Sequence, residues 1–253
     1  MEALFLGVGE ACDPVEPNTS ILVFDSKRRA GLLLDCGFTT AHQYFGQCSD
    51  PEELQGIWIS HFHGDHIFGL PLLLLQMNAM KRAGEVHIYG PQGVTAKFDA
   101  IMEMAYPLCR KKFSFDVECV EMCSGDLASI GEFELSAALV DHSQPAMAVR
   151  VSCQGKALFY SGDGRPTASS VALAQDCDLV VHECYSFEDS IPGHCSSAHV
   201  VDFARAVKCK RLAVVHVNVL ERRSNLAKIK DRLNQAAGDR EWFVPQANDR
   251  LCF

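Results

Sequence analysis

The 253-residue sequence has no apolar run long enough to cross a bilayer. Its most apolar stretch, Gly69-Leu-Pro-Leu-Leu-Leu-Leu-Gln-Met77, falls far short of the ~20 residues a spanning helix needs. It has no surplus of positive charge either. Lys and Arg number 23 against 32 Asp and Glu, a formal net charge of −9, which excludes an affinity drawn from a broad basic surface laid on phosphates. There is no C-x-x-C pair, and Cys119 and Cys123 stand without a second half, so a zinc ribbon is excluded. Twelve cysteines amount to about 5% of the chain, below the ~8–10% of a disulfide scaffold. In a reducing compartment they are thiols, and the plain reading is that most are small buried hydrophobes. No linker, low-complexity segment or repeat at a period of 20–50 residues interrupts the sequence. The opening Met1-Glu-Ala-Leu-Phe-Leu-Gly7 lacks the basic region and cleavage site of a signal peptide, so the expectation is a cytoplasmic protein with no membrane partner.

What remains is an ordinary soluble composition, 48% apolar and 22% charged. At about 150 residues per domain this length fits one large domain or two small ones. With no linker the expectation is one domain over residues 1–253. Strand-length apolar runs come first, at Ala3–Val8, Ser20–Phe24 and Gly31–Asp35. A strand through Ile57–Ser60, a helix from Leu70 to Ala83, a strand over Glu85–Tyr89 and a helix over Val94–Met104 follow. Strands return at Asp116–Val120, Phe133–Val140, Ala146–Ser152 and Ala157–Ser161, with a Gln154-Gly155 turn between the last two. The remainder alternates helix (168–175), strand (179–182), helix (198–207), strand (212–216) and helix (226–237). Two β-then-α halves predict an α/β fold in which two sheets pack face to face with helices outside, a four-layer αββα sandwich.

The chemistry concentrates in Ser60-His61-Phe62-His63-Gly64-Asp65-His66. Side chains at i and i+2 of an extended turn leave on the same side. His61 and His63 can therefore grip one ion while Asp65 and His66 turn toward a neighbouring position. An apolar strand leads straight into the motif and an apolar helix follows, which argues against four merely solvated residues. Imidazole suits Zn, Fe, Mn or Ni, and a carboxylate widens the choice toward harder ions. Further ligands must come from the C-terminal ends of other strands, where open sheets present their loops. Three candidates stand there: His142 after the strand ending at Val140, Asp163 after Phe159-Tyr160-Ser161, and His216 after Leu212-Ala-Val-Val. Each alone reads as an ordinary polar residue at a strand end; with the first motif they make seven ligands, which fits a dinuclear site.

These residues resemble the metallo-β-lactamase fold, and within it the ribonuclease Z and related phosphodiesterase branch. The resemblance rests on His61-x-His63-x-Asp65-His66, His142, Ser161-Gly162-Asp163 and His216, and covers nearly the whole chain in order. Leu6-Gly-Val-Gly9, Asn18-Thr-Ser20, Leu34-Asp-Cys-Gly37, Ile88-Tyr-Gly-Pro91 with Gly93, His182-Glu-Cys184 and Gly193-His-Cys-Ser196 add to it. It implies that His61, His63 and His142 hold one divalent ion, that Asp65, His66 and His216 hold the other, and that Asp163 bridges them. Zinc is the first choice, with manganese or iron as alternatives. It also implies a hydrolase working through a metal-bridged hydroxide that Asp65 orients, with His194 protonating the leaving oxygen and Glu183 orienting His194.

Transfer-RNA-processing members of that branch usually carry a long arm between the third-motif histidine and the bridging aspartate. Here only 20 residues separate His142 from Asp163, just enough for two strands. The arm is missing, and the armless plan resembles phosphodiesterases that open small or cyclic diesters, with RNA ends as a further substrate class. The alternatives are tRNA 3′ processing despite the missing arm, with a homodimer partner or the basic Arg110-Lys111-Lys112 turn compensating, and a lactonase or thioesterase built on the same ligands. A di-iron oxygen-reducing protein of this fold usually has Glu where His63 stands, and a metal-free nucleic-acid-binding scaffold normally lacks several ligands. Both are disfavoured. His182 reads as a buried histidine bonded to the backbone, and His42, His87 and His199 as structural or surface residues.

Overall fold

The computed structural model describes residues 1–28, 30–188 and 191–253. Among these residues fourteen strands form two sheets of seven. The first half of the chain runs β1 (Glu2–Gly7), β2 (Ser20–Phe24), β3 (Gly31–Leu34), α1 (Thr40–Gln47), β4 (Leu54–Trp58), α2 (Gly64–Ile67), α3 (Leu70–Ala79), β5 (Val86–Pro91), α4 (Val94–Ala105) and β6 (Val117–Met122). The second half runs β7 (Leu127–Ile130), β8 (Phe133–Val140), β9 (Ala146–Cys153), β10 (Lys156–Tyr160), α5 (Ala168–Leu173), β11 (Leu179–Glu183), α6 (Ser197–Ala206), β12 (Arg211–Val215), α7 (Val219–Ser224), α8 (Leu226–Ala237), β13 (Glu241–Phe243) and β14 (Arg250–Cys252). The sheets have the orders β14-β1-β2-β3-β4-β5-β6 and β13-β12-β11-β10-β9-β8-β7. Hairpin-linked strands pair antiparallel, while β3 to β6 and β10 to β13 run parallel.

The near-continuous apolar runs, such as those of β2, β3 and β11, are explained by burial on both faces of the strand, as a sheet covered on both sides requires. Alternate residues serve alternate layers. Leu32, Leu34 and Trp58 meet Leu158, Tyr160 and Val181 in the core between the sheets. Leu33, Ile57 and Ile88 face outward to Tyr44, Leu73, Met77 and Phe98 on α1, α3 and α4. Phe159, Val180 and Val214 face outward to Phe203, Ile229 and Leu233 on α6 and α8. This is the four-layer αββα sandwich expected from the sequence.

Several expectations shift by a turn or less. The helix predicted to Ala83 ends at Ala79. Gly90 and Pro91, just past the strand predicted over Glu85–Tyr89, lie inside β5, because the parallel partner β6 continues to pair with them at Glu121 and Met122. The helix α1 and the short edge strands β7, β13 and β14 are additions to the sequence reading. Gln154 and Gly155 both have positive φ, 52° and 78°, as the predicted tight turn between β9 and β10 demands. Among the described residues no disulfide joins the twelve cysteines, and seven of them are buried.

Candidate metal centre

Six strands deliver the site, each from its C-terminal end: Asp35 follows β3, the His61–His66 turn follows β4, His142 follows β8, Asp163 follows β10, Glu183 closes β11 and His216 follows β12. Two backbone hydrogen bonds stitch the sheets together here, Met147 N–H to Ser60 O at 2.9 Å and His216 N–H to Val8 O at 2.9 Å. The stitch needs close approach. A Cβ on Gly162, which has φ +59°, would lie 2.6 Å from Ser60 Cβ.

The seven side chains singled out in the sequence converge. Donor atoms of His61, His63, His142 and Asp163 lie within 4.8 Å of one another, as do those of Asp65, His66 and His216. His61 Nε2 and His142 Nε2 stand 3.0 Å and 3.3 Å from His63 Nδ1. Asp163 Oδ2 reaches both groups, at 3.8 Å from His61 Nε2, 3.4 Å from His66 Nε2 and 3.3 Å from His216 Nε2. Asp65 Oδ2 lies 3.3 Å from His66 Nε2 and 3.2 Å from His216 Nε2. Ligands at about 2.1 Å from a common tetrahedral centre stand about 3.4 Å apart, so most of these spacings are those of a coordination shell.

The hydrogen bonds behind the imidazoles aim them. Asp35 is fully buried with φ +62°, and its carboxylate accepts four hydrogen bonds: from Ser60 N–H (2.7 Å), Ser60 Oγ–H (2.8 Å), His66 Nδ1–H (2.7 Å) and Tyr160 O–H (2.6 Å). Ser60 Oγ in turn accepts from His61 Nδ1–H at 3.0 Å, and Gly193 O accepts from His142 Nδ1–H at 2.9 Å. With Nδ1 carrying the proton, His61, His66 and His142 all turn an Nε2 lone pair to the centre. His66 Nε2 is buried with no hydrogen-bond partner among the described residues. Facing lone pairs and a bare buried nitrogen are unfavourable alone and favourable around a cation, so these residues fit a metal.

Electrostatics divide the centre in two. Burial, then the neighbouring His66, pushes His61 well below the usual histidine range, and burial with His142 lowers His63. On the other side burial opposes the charged form of His66 and His216, yet both are raised, His66 by Asp163 and Asp35, and His216 by Asp163 and Asp65. Burial also opposes ionisation of Asp163, which His216 and His66 overcome to hold it well below the usual carboxylate range. Two ionised carboxylates inside a buried cage call for positive charge, which the raised His66 and His216 provide and which a divalent metal would provide in their place.

Glu183 and His194 sit beside the cage. Glu183 Oε1 accepts hydrogen bonds at 3.1 Å each from Gly164 N–H, Cys195 N–H and His194 Nδ1–H. The His194 ring stacks on Tyr185 with centroids 4.3 Å apart, and a His194 nitrogen lies within 4.8 Å of donors on Asp163 and His216. A cleft of about 340 Å³ opens over this arrangement, lined by Glu10, Phe38, His63, Asp65, Asp163, Tyr185, His194 and His216 among others. His182, by contrast, is buried among Phe159 and Phe203 and bonds through Nδ1 to Glu183 O at 2.8 Å. Its structural reading stands. His87 lies outside the cleft between Glu85 and Glu118. The Arg110–Lys112 segment is one 3-10 turn whose Arg110 pairs with Asp99.

Sequence reasoning missed Asp35, Ser60, Tyr160, Glu10 and Tyr185 as parts of the site. An acid ending the apolar run Gly31–Leu34 and a serine opening the histidine motif were the available signals; nothing local marks Tyr160.

The chain is 25% identical to "Ribonuclease Z" of Geobacillus kaustophilus, over 86% of this chain and 88% of that protein. Among solved structures it is similar to the metallo-beta-lactamase fold protein YhfI from Bacillus subtilis, with a TM-score of 0.81 at 18% identity, covering 99% and 98% of the two chains. It is also similar to the short form of human tRNase Z, with a TM-score of 0.79 at 22% identity, covering 100% and 99%. The metallo-β-lactamase fold and the ribonuclease Z-related branch expected from the sequence are borne out. The model of the family described as "Anti-Pycsar protein Apyc1" matches residues 1–232, and the chain belongs to that family.

Proposed function

We propose that the chain is a hydrolase with two divalent metal ions that cleaves small or cyclic phosphodiesters, RNA ends included. The observation that carries the reading is the cage itself: seven His and Asp side chains from both sheets at shell spacing, with the buried Nε2 of His66 left without a hydrogen bond among the described residues. His61, His63 and His142 would hold one ion, Asp65, His66 and His216 the other, and Asp163 both. Zinc suits the imidazole-rich half best, with manganese or iron as alternatives. Bound in such a pair, metal ions clamp the attacking and leaving oxygens of an in-line displacement and lower the pKa of water from 15.7 to about 7.

The chain's own residues complete the chemistry. Asp65 faces the cleft and is positioned to orient the attacking water. Burial disfavours its charged form, but His216 and His66 hold it ionised, well below the usual carboxylate range. Glu183 fixes the His194 ring through Nδ1–H, leaving Nε2 to deliver a proton to the departing oxygen. Help of that kind is typically worth 10²–10⁴-fold. The segment between His142 and Asp163 is filled by β9 and β10, with no room for a tRNA-clamping arm, which supports a small diester over a folded RNA. We further read residues 1–253 as one domain, located in the cytoplasm, with self-association into a homodimer as the expected partner interaction.

The test is direct. Protein purified without chelator should carry divalent metal and hydrolyse bis-p-nitrophenyl phosphate, and leave an acyl-homoserine lactone untouched. Turnover of the lactone alone would move the assignment to the carbon–oxygen bond, and absence of both metal and activity would return the chain to the scaffold reading. His194→Ala should keep its metal and slow roughly tenfold or more on a diester with a poor leaving group. An unchanged rate on that substrate removes His194 from the reaction.

A further inference from the structure

We infer that Arg165 is the positioning residue that locks the loop carrying His194 against the loop carrying Asp163. This rests on the role of His194 given above for its catalytic consequence, and on geometry alone for the clamp. Each residue of Asp163–Arg165 has a separate task. Asp163 points its carboxylate into the cage, and Gly164 donates its N–H to Glu183 Oε1 at 3.1 Å. Arg165 pairs its backbone with Asp141 in both directions, N–H to Asp141 O at 2.8 Å and O from Asp141 N–H at 2.9 Å. That fixes the residue immediately before His142. The Arg165 guanidinium then crosses to the third loop, donating from Nε to His194 O at 2.9 Å and from Nη2 to Ile191 O at 3.2 Å.

The loop it holds has no regular structure of its own at 191–195. Gly193 turns there with φ +77°, and Ile191 is exposed. Its described polar ties to the rest of the site are to His142 Nδ1–H through Gly193 O, to Glu183 through the His194 ring and Cys195 N–H, to Tyr185 and Ser186 N–H through Cys195 O, to Gly164 O through Cys195 Sγ, and to Arg165. Apart from Arg165, these ties hold Gly193 O, the His194 ring and the C-terminal end of the loop at Cys195. The guanidinium is planar and rigid, and it grips two carbonyls three residues apart at once, which fixes both position and tilt of the segment. Without it the His194 ring can still meet Glu183 but no longer at one distance from the Asp163 carboxylate. A displacement of about 1 Å from a productive geometry can cost about 10²-fold in rate.

The experiment compares Arg165→Met and Arg165→Lys in the metal-loaded protein with hydrogen–deuterium exchange, metal analysis and kinetics. Arg165→Met should raise exchange within residues 191–196 and leave bound metal unchanged. Its kcat should fall roughly tenfold or more on a dinucleoside monophosphate, whose leaving group is an alcohol, and change little on bis-p-nitrophenyl phosphate, with KM moving less than about twofold on either. Arg165→Lys, which keeps one donor, should fall between. In a His194→Ala background Arg165→Met should add no further loss. Unchanged exchange at 191–196 overturns the clamp outright. Loss of metal, an equal loss on both substrates, or full additivity with His194→Ala overturns the positioning role. Should His194→Ala prove silent while the exchange rises as expected, the reading of His194 fails and the clamp stands.

Discussion

Asp35 shows how much of a metal centre rests on a residue that never faces the ion. A carboxylate in the left-handed region is strained for a non-glycine residue, and its four accepted hydrogen bonds offset that strain. They reach the two sheets and two of the cage histidines, directly for His66 and through Ser60 for His61. Asp35→Asn tests this cleanly, because asparagine tolerates the same backbone conformation yet presents N–H where a donor must be met. It should fold and bind metal about 10–100-fold more weakly, read by competition with a chelating dye. Wild-type affinity would show that the imidazoles need no such support. The seven cage residues were legible because four of them share one short motif, and the other three, each ordinary alone, stand at strand ends where they complete it. Asp35 was hidden because its meaning comes from Tyr160, 125 positions away. Only the folded chain supplies that neighbour.

Secondary elements were legible in proportion to how far their own residues determine them. A fully buried strand such as Ser20–Phe24 appears at the expected residues, since burial on both faces leaves an apolar signature, and Phe133–Val140, with Glu134 and Leu139 exposed, does so through the buried Phe133, Leu135 and Ala137. The edge strands β7, β13 and β14, only three or four residues long, owe their form to a neighbour's unpaired backbone. Helix α1, a mixed segment, Thr-Ala-His-Gln-Tyr-Phe-Gly-Gln, depends instead on packing, with Ala41 and Tyr44 buried in the apolar layer outside the sheet. Close approach between elements predicts a contrast of two glycines. A Cβ at Gly37 would lie 1.9 Å from Asp65 O, on backbone that cannot yield, whereas a Cβ at Gly46 within α1 meets nothing inside 4 Å. Gly37→Ala should cost roughly 2–4 kcal/mol in urea unfolding and weaken metal binding with it. Gly46→Ala should be neutral or gain up to about 1 kcal/mol. Equal behaviour of the two would mean that the β3–α1 loop is free to move away from α2.

At the scale of the whole molecule the cage is a joint between two sheets. The first sheet brings His61, His63, Asp65 and His66; the second brings His142, Asp163 and His216. Metal held at that joint should stabilise the sandwich as a unit. At a free concentration of 100 times Kd, one bound ion contributes about 2.7 kcal/mol. Stripping the metal with a chelator should then lower Tm by roughly 5–10 °C for a chain of this size, and readdition should restore it. An unmoved Tm would mean that the sheets register without help. A length of 253 residues and a 48% apolar composition already announced a sizeable core; they could not announce the joint, which exists only once the halves meet. That joint has a consequence for a chain still emerging from its synthesis. A half-finished polypeptide offers a scavenging cation three imidazoles and one acid, too few and too loosely held to keep it. Tight capture begins when the last third is in place, so the ion acts as an inspector that endorses only finished copies.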